Sequence, residues 1–320
     1  VAKTIFSLFL SIQKLKTMTK IANRSVLITG GAAGIGKLIA GKCLQQGAYK
    51  VILWDINEAN LLETGAYFAT NGYDVMTEVV DVADVNDIVR AAEALKEKIG
   101  TVDILFNNAG IVVGKSFDKH SHRDISKTID INVSGVMHVA LEFLPGMIDQ
   151  NEGHIINIAS AAGLIPNPNM SVYAASKWAV VGWSESLRLE QEENNTGVKV
   201  TTVMPSYINT GMFDGVKSPV LTPIMEPEFI VEKIMQAVKN DEIVLMEPFM
   251  TKTIPLLRGI LPTRAFDFIA GKIFGVYKTM DNFKGKAPHV AVPDKDKLKA
   301  EHQKNNKKDR KEEAEKIERI

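Results

Sequence analysis

Cysteine is nearly missing from this chain of 320 residues. Cys43 stands alone, so no intramolecular disulfide can form, and a reducing compartment is the natural setting. Net charge is missing too: 38 basic residues balance 38 acidic ones, which removes the electrostatic reason to expect nucleic acid as a partner. No internal repeat of solenoid length is present. Near the start, Thr4-Ile5-Phe6-Ser7-Leu8-Phe9-Leu10-Ser11-Ile12 is apolar and is followed by Lys14, Lys16 and Lys20. The run falls short of the roughly 20 residues of a membrane-spanning helix, and no small-residue cleavage site follows it. It is expected to be a short amphipathic segment that covers part of the domain or lies on a membrane surface.

With 45% hydrophobic and 24% charged residues, the composition is that of an ordinary globular protein. From Ser25 onward, short apolar runs alternate with helical patterns, as in repeated βαβ units. Strands are expected at 25–29, 50–54, 75–80, 104–106, 154–158 and 198–203, with a seventh at 242–246. Helices are expected over 37–46, 85–99, 125–147, 176–192 and 228–239. Several strands are continuously apolar, as when helices cover both faces of a parallel sheet. The fold expected is therefore α/β, a doubly wound parallel seven-stranded sheet with a C-terminal helical extension.

Four segments follow from this: an apolar and basic lead (1–20), the α/β domain (21–248), an amphipathic extension (249–293) and a charged tail (294–320) expected to be solvated or a frayed charged helix. The extension reads as two amphipathic helices broken near Pro255 and Pro262. It suits a lid, an oligomer contact or a basic face that docks on lipid.

Directly after the first strand comes Thr29-Gly30-Gly31-Ala32-Ala33-Gly34-Ile35-Gly36-Lys37. A glycine-rich turn between a strand and a helix lets the backbone approach a pyrophosphate, which the helix N-terminus then binds. The second strand ends in Asp55, placed to accept hydrogen bonds from an adenosine ribose and to repel a 2′-phosphate. NAD(H) is accordingly favoured, with NADP(H) left open because Lys37 and Lys50 lie near in sequence; a plain turn or cap role is the alternative for Asp55. Tyr173 and Lys177, four residues apart, share one helix face. A free phenol has a pKa of about 10, so it serves as a base near neutral pH only if cations stabilise its anion. Ser160, just past a strand, is placed to hold a substrate oxygen.

With its TGxxxGxG loop, Asn107-Asn108-Ala109-Gly110, Asn132, Ser160 and Tyr173-Ala174-Ala175-Ser176-Lys177, the sequence resembles the short-chain dehydrogenase/reductase family from about Ser25 to Met246. The resemblance implies a Rossmann fold and an NAD(P)-dependent interconversion of alcohol and carbonyl, with no metal. It implies a catalytic set of Asn132, Ser160, Tyr173 and Lys177, with Asn132 ordering a water beside the lysine. The cofactor contacts it implies are Gly30, Ala32, Ala33, Gly34, Ile35, Gly36, Asp55, Ile56, Asp81, Val82, Asn107, Asn108, Ala109, Gly110, Tyr173, Lys177, Pro205, Ile208 and Thr210. One departure is Ser206, where the family usually has glycine after proline; it puts the local loop geometry in doubt.

Ala161, Ala162, Leu164, Ile165, Pro166, Met170, Tyr207, Met212 and Phe213 are expected on the substrate side. They are mostly apolar, which suits a lipophilic substrate. The 210–213 and 221–228 segments are similar to the branch of retinol dehydrogenases and 17-beta-hydroxysteroid-dehydrogenase-type enzymes. That branch implies a retinoid, steroid or long-chain alcohol or ketone, a homodimer or homotetramer, and a cytoplasmic site with peripheral membrane contact. The rival readings are a soluble reductase of a smaller ketone, a sugar epimerase or dehydratase, and a catalytically silent NAD(P)-sensing protein.

Overall fold

The computed structural model describes residues 18–285; the expected charged tail (294–320) lies outside the described residues, as do residues 1–17 of the expected N-terminal segment and 286–293 of the expected extension. Seven parallel strands form one sheet in the order β3-β2-β1-β4-β5-β6-β7. They are β1 (Ser25–Thr29), β2 (Lys50–Asp55), β3 (Val75–Val79), β4 (Ile104–Asn107), β5 (Gly153–Ile158), β6 (Val198–Pro205) and β7 (Val244–Glu247). The side-chain period of two sends Val26 and Ile28 into one core and Leu27 into the other. Both faces are therefore buried, which explains the continuously apolar strands.

The first core is closed by α1 (Gly34–Gln45), α2 (Glu58–Thr70) and α7 (Pro227–Lys239), through Ile39, Phe68 and Ile234 among others. The second is closed by α3 (Val85–Ile99), α5 (Val136–Asp149) and α6 (Ser171–Glu193), through Ile88, Phe143 and Leu187. Helix α2 is not among those the apolar pattern predicts; it starts where the Asn57 side chain accepts from the Asn60 N–H at 2.9 Å. The single helix expected over 125–147 is instead α4 (His122–Ile129), a π-helical turn (Asp130–Gly135) and α5. By length and composition His122–Asp149 could cross a membrane, but Val139, Phe143 and Met147 are spent on the core.

The strand order reverses between β1 and β4, which opens a crevice at their C-terminal ends. Beyond β7 come α8 (Ile254–Ile260) and α9 (Thr263–Phe268). Pro255 does not break a helix as expected. It occupies the first turn of α8, where a missing N–H costs nothing, while Pro262 is the N-cap of α9. Ile165, Phe266 and Ala270 form a small core with Ile254 and Leu257 that seats this extension on the α/β domain.

Candidate active site

At the C-terminal end of β1 the chain turns sharply, with Gly30 at φ +63° and Gly34 at φ +53°. A Cβ on Gly36 would lie 2.2 Å from the Gly30 carbonyl oxygen and 2.7 Å from Asn108 Nδ2, so only glycine fits there. Ala33, the N-cap of α1, makes no side-chain cap, and the first turn holds no acidic residue. The N–H groups of this helix start are left for an anion, and the loop fits a dinucleotide pyrophosphate.

Asn108 supports the loop more than it reaches into the crevice: its Nδ2 donates to the Thr29 and Gly30 carbonyls at 2.9 and 3.0 Å. Asn107 departs further from the expected cofactor contact. Its amide is buried and donates to Asn157 Oδ1 at 2.9 Å, and Asn157 in turn donates to Ser184. Ala109 N donates to Thr29 Oγ1 at 3.1 Å, tying the β4 end to the β1 end.

The Asp55 carboxylate accepts from Ala32 N at 3.2 Å and from Asn57 N at 3.0 Å, which fixes it beside the glycine loop. Ile56 beyond it is exposed. The two lysines that could have offset its charge are engaged elsewhere: Lys37 stacks 4.8 Å from the Tyr67 ring centre, and Lys50 pairs with Asp74. Asp81 caps its own turn through Ala83 N at 2.9 Å, and Val82 is buried in the second core. Across the crevice, Ile208 bridges to Met225. A Cβ on Gly34 would come within 3.8 Å of Thr210, so Thr210 faces the glycine loop. Ser206, at the departure from the family pattern, donates its N–H to the Glu247 carbonyl at 2.8 Å, which anchors the turn without glycine.

Ser160, Tyr173, Lys177 and Asn132 are all buried and converge beside this crevice. Gly163 allows the turn after Ser160 to seat on α6; a Cβ there would stand 2.9 Å from the Lys177 carbonyl oxygen. The Lys177 ammonium donates to the Ile158 carbonyl at 2.8 Å and lies 5.8 Å from the Tyr173 ring centre. Asn132 sits in the π-helical turn. Its Oδ1 accepts from Ile111 N at 2.9 Å, and its Nδ2 donates to the Ile111 carbonyl at 2.9 Å and to Ser176 Oγ at 3.0 Å. The wider turn leaves this side chain aimed at the end of β4 rather than along the helix.

Burial pushes the Tyr173 phenol up to about 12, against a hydrogen bond with Ser160 that pulls it down and with Tyr207 adding to the rise. Burial brings Lys177 down to about 8. The geometry expected of the pair is present, but the protein alone does not make the phenol acidic. Desolvation outweighs the hydrogen bond, and the lysine loses its proton first.

Ser160 also lines a cavity of about 100 Å³ that is mostly apolar. Of the residues expected there, Ala161, Ala162, Ile165, Met170, Tyr207 and Phe213 contribute, whereas Leu164, Pro166 and Met212 do not. The opposite wall was not expected in residue detail: Met250, Ile254, Leu257, Phe266 and Phe274 come from the extension. Its signal in the sequence is the inner apolar stripe of α8. A buried polar cluster joins the two sides, where Tyr207 Oη lies 2.8 Å from Thr279 Oγ1 and 3.0 Å from the Asn167 amide.

The family model described as short chain dehydrogenase matches residues 24–220. Epidermal retinol dehydrogenase 2 of Mus musculus is 36% identical over 274 residues, covering 84% of this chain and 88% of that protein. Estradiol 17-beta-dehydrogenase 11 of Macaca fascicularis is 35% identical over 273 residues, covering 85% and 90%. Among solved structures, a short chain dehydrogenase/reductase from Burkholderia phymatum in complex with NAD aligns with a TM-score of 0.68 at 24% identity, over 86% of this chain and 100% of that one.

Proposed function

The chain belongs to the short-chain dehydrogenase/reductase family and is an NAD(P)-dependent oxidoreductase of alcohols and carbonyls; on that premise we propose a lipophilic substrate, handled by Ser160, Tyr173 and Lys177. Tyr173 exchanges the proton of the reacting oxygen, taking it in oxidation and giving it in reduction. Ser160 hydrogen-bonds that oxygen and fixes its position. Lys177 stabilises the phenolate by charge, and Asn132 holds the end of β4 against α6. Bound NAD(H) supplies the hydride donor or acceptor and, when oxidised, a positive charge. The glycine loop would hold its pyrophosphate, Asp55 its ribose hydroxyls, and Ile208 and Thr210 the nicotinamide end. NAD(H) is preferred because Asp55 has no free lysine beside it.

The observation that carries the substrate class is the apolar cavity opening from Ser160 and walled by the extension. The names of the relatives, which act on retinol and estradiol, point the same way. The test is a panel of retinoid, steroid, long-chain and small polar alcohols with NAD⁺ and NADP⁺, run beside Tyr173→Phe. Turnover of the lipophilic members, lost in the variant while cofactor still binds, is the expected result. Rates confined to small polar substrates defeat the lipophilic reading, and binding without turnover on any substrate favours the sensor reading. Assembly into a dimer or tetramer through α5 and α6 is a proposal supported by exposed Leu141, Ile148 and Leu189, and sedimentation velocity tests it.

A further inference from the structure

The cavity beside Ser160 is mostly apolar, and most of the polar side chains on its wall are already engaged. Asn167 and Tyr207 bond to each other and to Thr279. Thr253 Oγ1 donates to the Met250 carbonyl at 2.7 Å, and Thr222 sits between exposed Leu221 and Pro223, where water serves it. Two hydroxyls on the wall are left over, those of Ser206 and Thr251. Neither makes a hydrogen bond among the described residues, although Thr251 is only 2% exposed. Both residues are held through their backbone instead: Ser206 N donates to the Glu247 carbonyl and Thr251 N to the Pro248 carbonyl, each at 2.8 Å.

A buried hydroxyl without a partner is costly to keep, and such groups are few in folded proteins. These two also stand close to the chemistry. Ser160 Oγ donates to the Pro205 carbonyl at 3.4 Å, and Ser206 follows one Cα step of about 3.8 Å further along the chain. Pro205 pairs with Glu247 where β6 meets β7, which brings the turn that carries Thr251 alongside Ser206.

We propose that Ser206 and Thr251 determine specificity: their hydroxyls take a second oxygen of the substrate, one or two carbons from the reacting carbon. The preferred substrate is then a lipophilic vicinal diol or 2-hydroxy ketone, with its hydrocarbon part along the apolar wall. A hydroxyl both donates and accepts, so an alcohol or a carbonyl serves as the second oxygen. A simple alcohol leaves both hydroxyls unpaired in a site it has dried, and that penalty separates the two classes. The inference rests on alcohol oxidation at Ser160 and Tyr173 and narrows its substrate.

The test compares octane-1,2-diol with octan-2-ol, each with NAD⁺, on the full chain and on Thr251→Val, Thr251→Ser and Ser206→Ala. Thr251→Val keeps the shape of the side chain and removes its hydroxyl. Wild type is expected to prefer the diol by roughly ten- to 100-fold in kcat/KM. That preference should shrink about tenfold in Thr251→Val and in Ser206→Ala and persist in Thr251→Ser, which restores a hydroxyl on a smaller side chain. Equal kcat/KM for the two alcohols in wild type overturns the inference and leaves alcohol oxidation standing. An equal fall for both alcohols in Thr251→Val also overturns it, because Thr251 is then a packing residue. Oxidation of neither alcohol overturns the reading beneath it, and the inference falls with that reading.

Discussion

Replacing Lys177 with methionine isolates the electrostatic part of the proposed chemistry while nearly conserving volume. The ammonium lies 5.8 Å from the centre of the Tyr173 ring. At that distance and an effective dielectric of about 20, a unit charge favours the phenolate by roughly 3 kcal/mol, or about 2 pKa units. In oxidation the Tyr173 phenolate must accept a proton, so the ascending limb of kcat against pH reports its ionisation when alcohol and NAD⁺ are saturating. Lys177→Met is expected to move that limb up by about 2 pH units and, below it, to cut the rate about 100-fold. Reduction needs the phenol protonated and should lose much less. The Ile158 carbonyl also loses its donor at 2.8 Å, so a thermal-unfolding measurement accompanies the kinetics. A limb that stays in place while both directions fall equally would make Lys177 a mere anchor and refute the charge argument.

Gly36→Ala forces a methyl to within 2.2 Å of the Gly30 carbonyl; NADH binding followed by fluorescence should weaken at least 100-fold, since about 3 kcal/mol of loop distortion suffices. Asp55→Asn removes the charge beside the glycine loop while keeping acceptors for Ala32 and Asn57, and the ratio of kcat/KM for NAD⁺ over NADP⁺ should fall roughly tenfold; an unchanged ratio would give Asp55 a turn role only. Burial holds His154 down at about 4, against about 6.5 when unfolded. Between those values the unfolded chain binds the proton that the folded one refuses, so stability falls as pH drops from about 6.5 to about 4, by roughly 3 kcal/mol in all, and levels off below. Urea titrations across that window should show the slope in wild type and lose it in His154→Gln; a slope that survives the substitution assigns the acid sensitivity to other groups.

The strands were legible because a parallel sheet covered on both faces needs unbroken apolar runs, and Ser25–Thr29 shows one directly. The glycine loop was legible because its conformation excludes other residues at Gly36. Helix α2 escaped because its start depends on the Asn57 cap and its apolar residues form no clean stripe: Leu61 is buried, whereas Leu62 beside it is exposed. The π-helical turn around Asn132 escaped because one inserted residue scarcely alters a helical period. Pro255 misled because a proline reads alike whether it starts a helix or breaks one.

The spacing of Tyr173 and Lys177 told that they share a helix face, but it could not tell that both are buried. Burial acts in opposite directions on an acid that becomes an anion and a base that becomes neutral. It raises the phenol to about 12 and lowers the amine to about 8. Burial by the protein alone therefore sets the ammonium to give up its proton before the phenol does, the reverse of the order that oxidation requires. Coupling within the pair narrows the gap from both sides, since each charged partner favours the other. A cation held next to the phenol favours its ionisation further, so the base strength of Tyr173 follows from occupancy of the glycine-loop crevice. The fold positions the acid and base, and a positive nicotinamide bound beside Tyr173 would supply the charge that the oxidation direction needs.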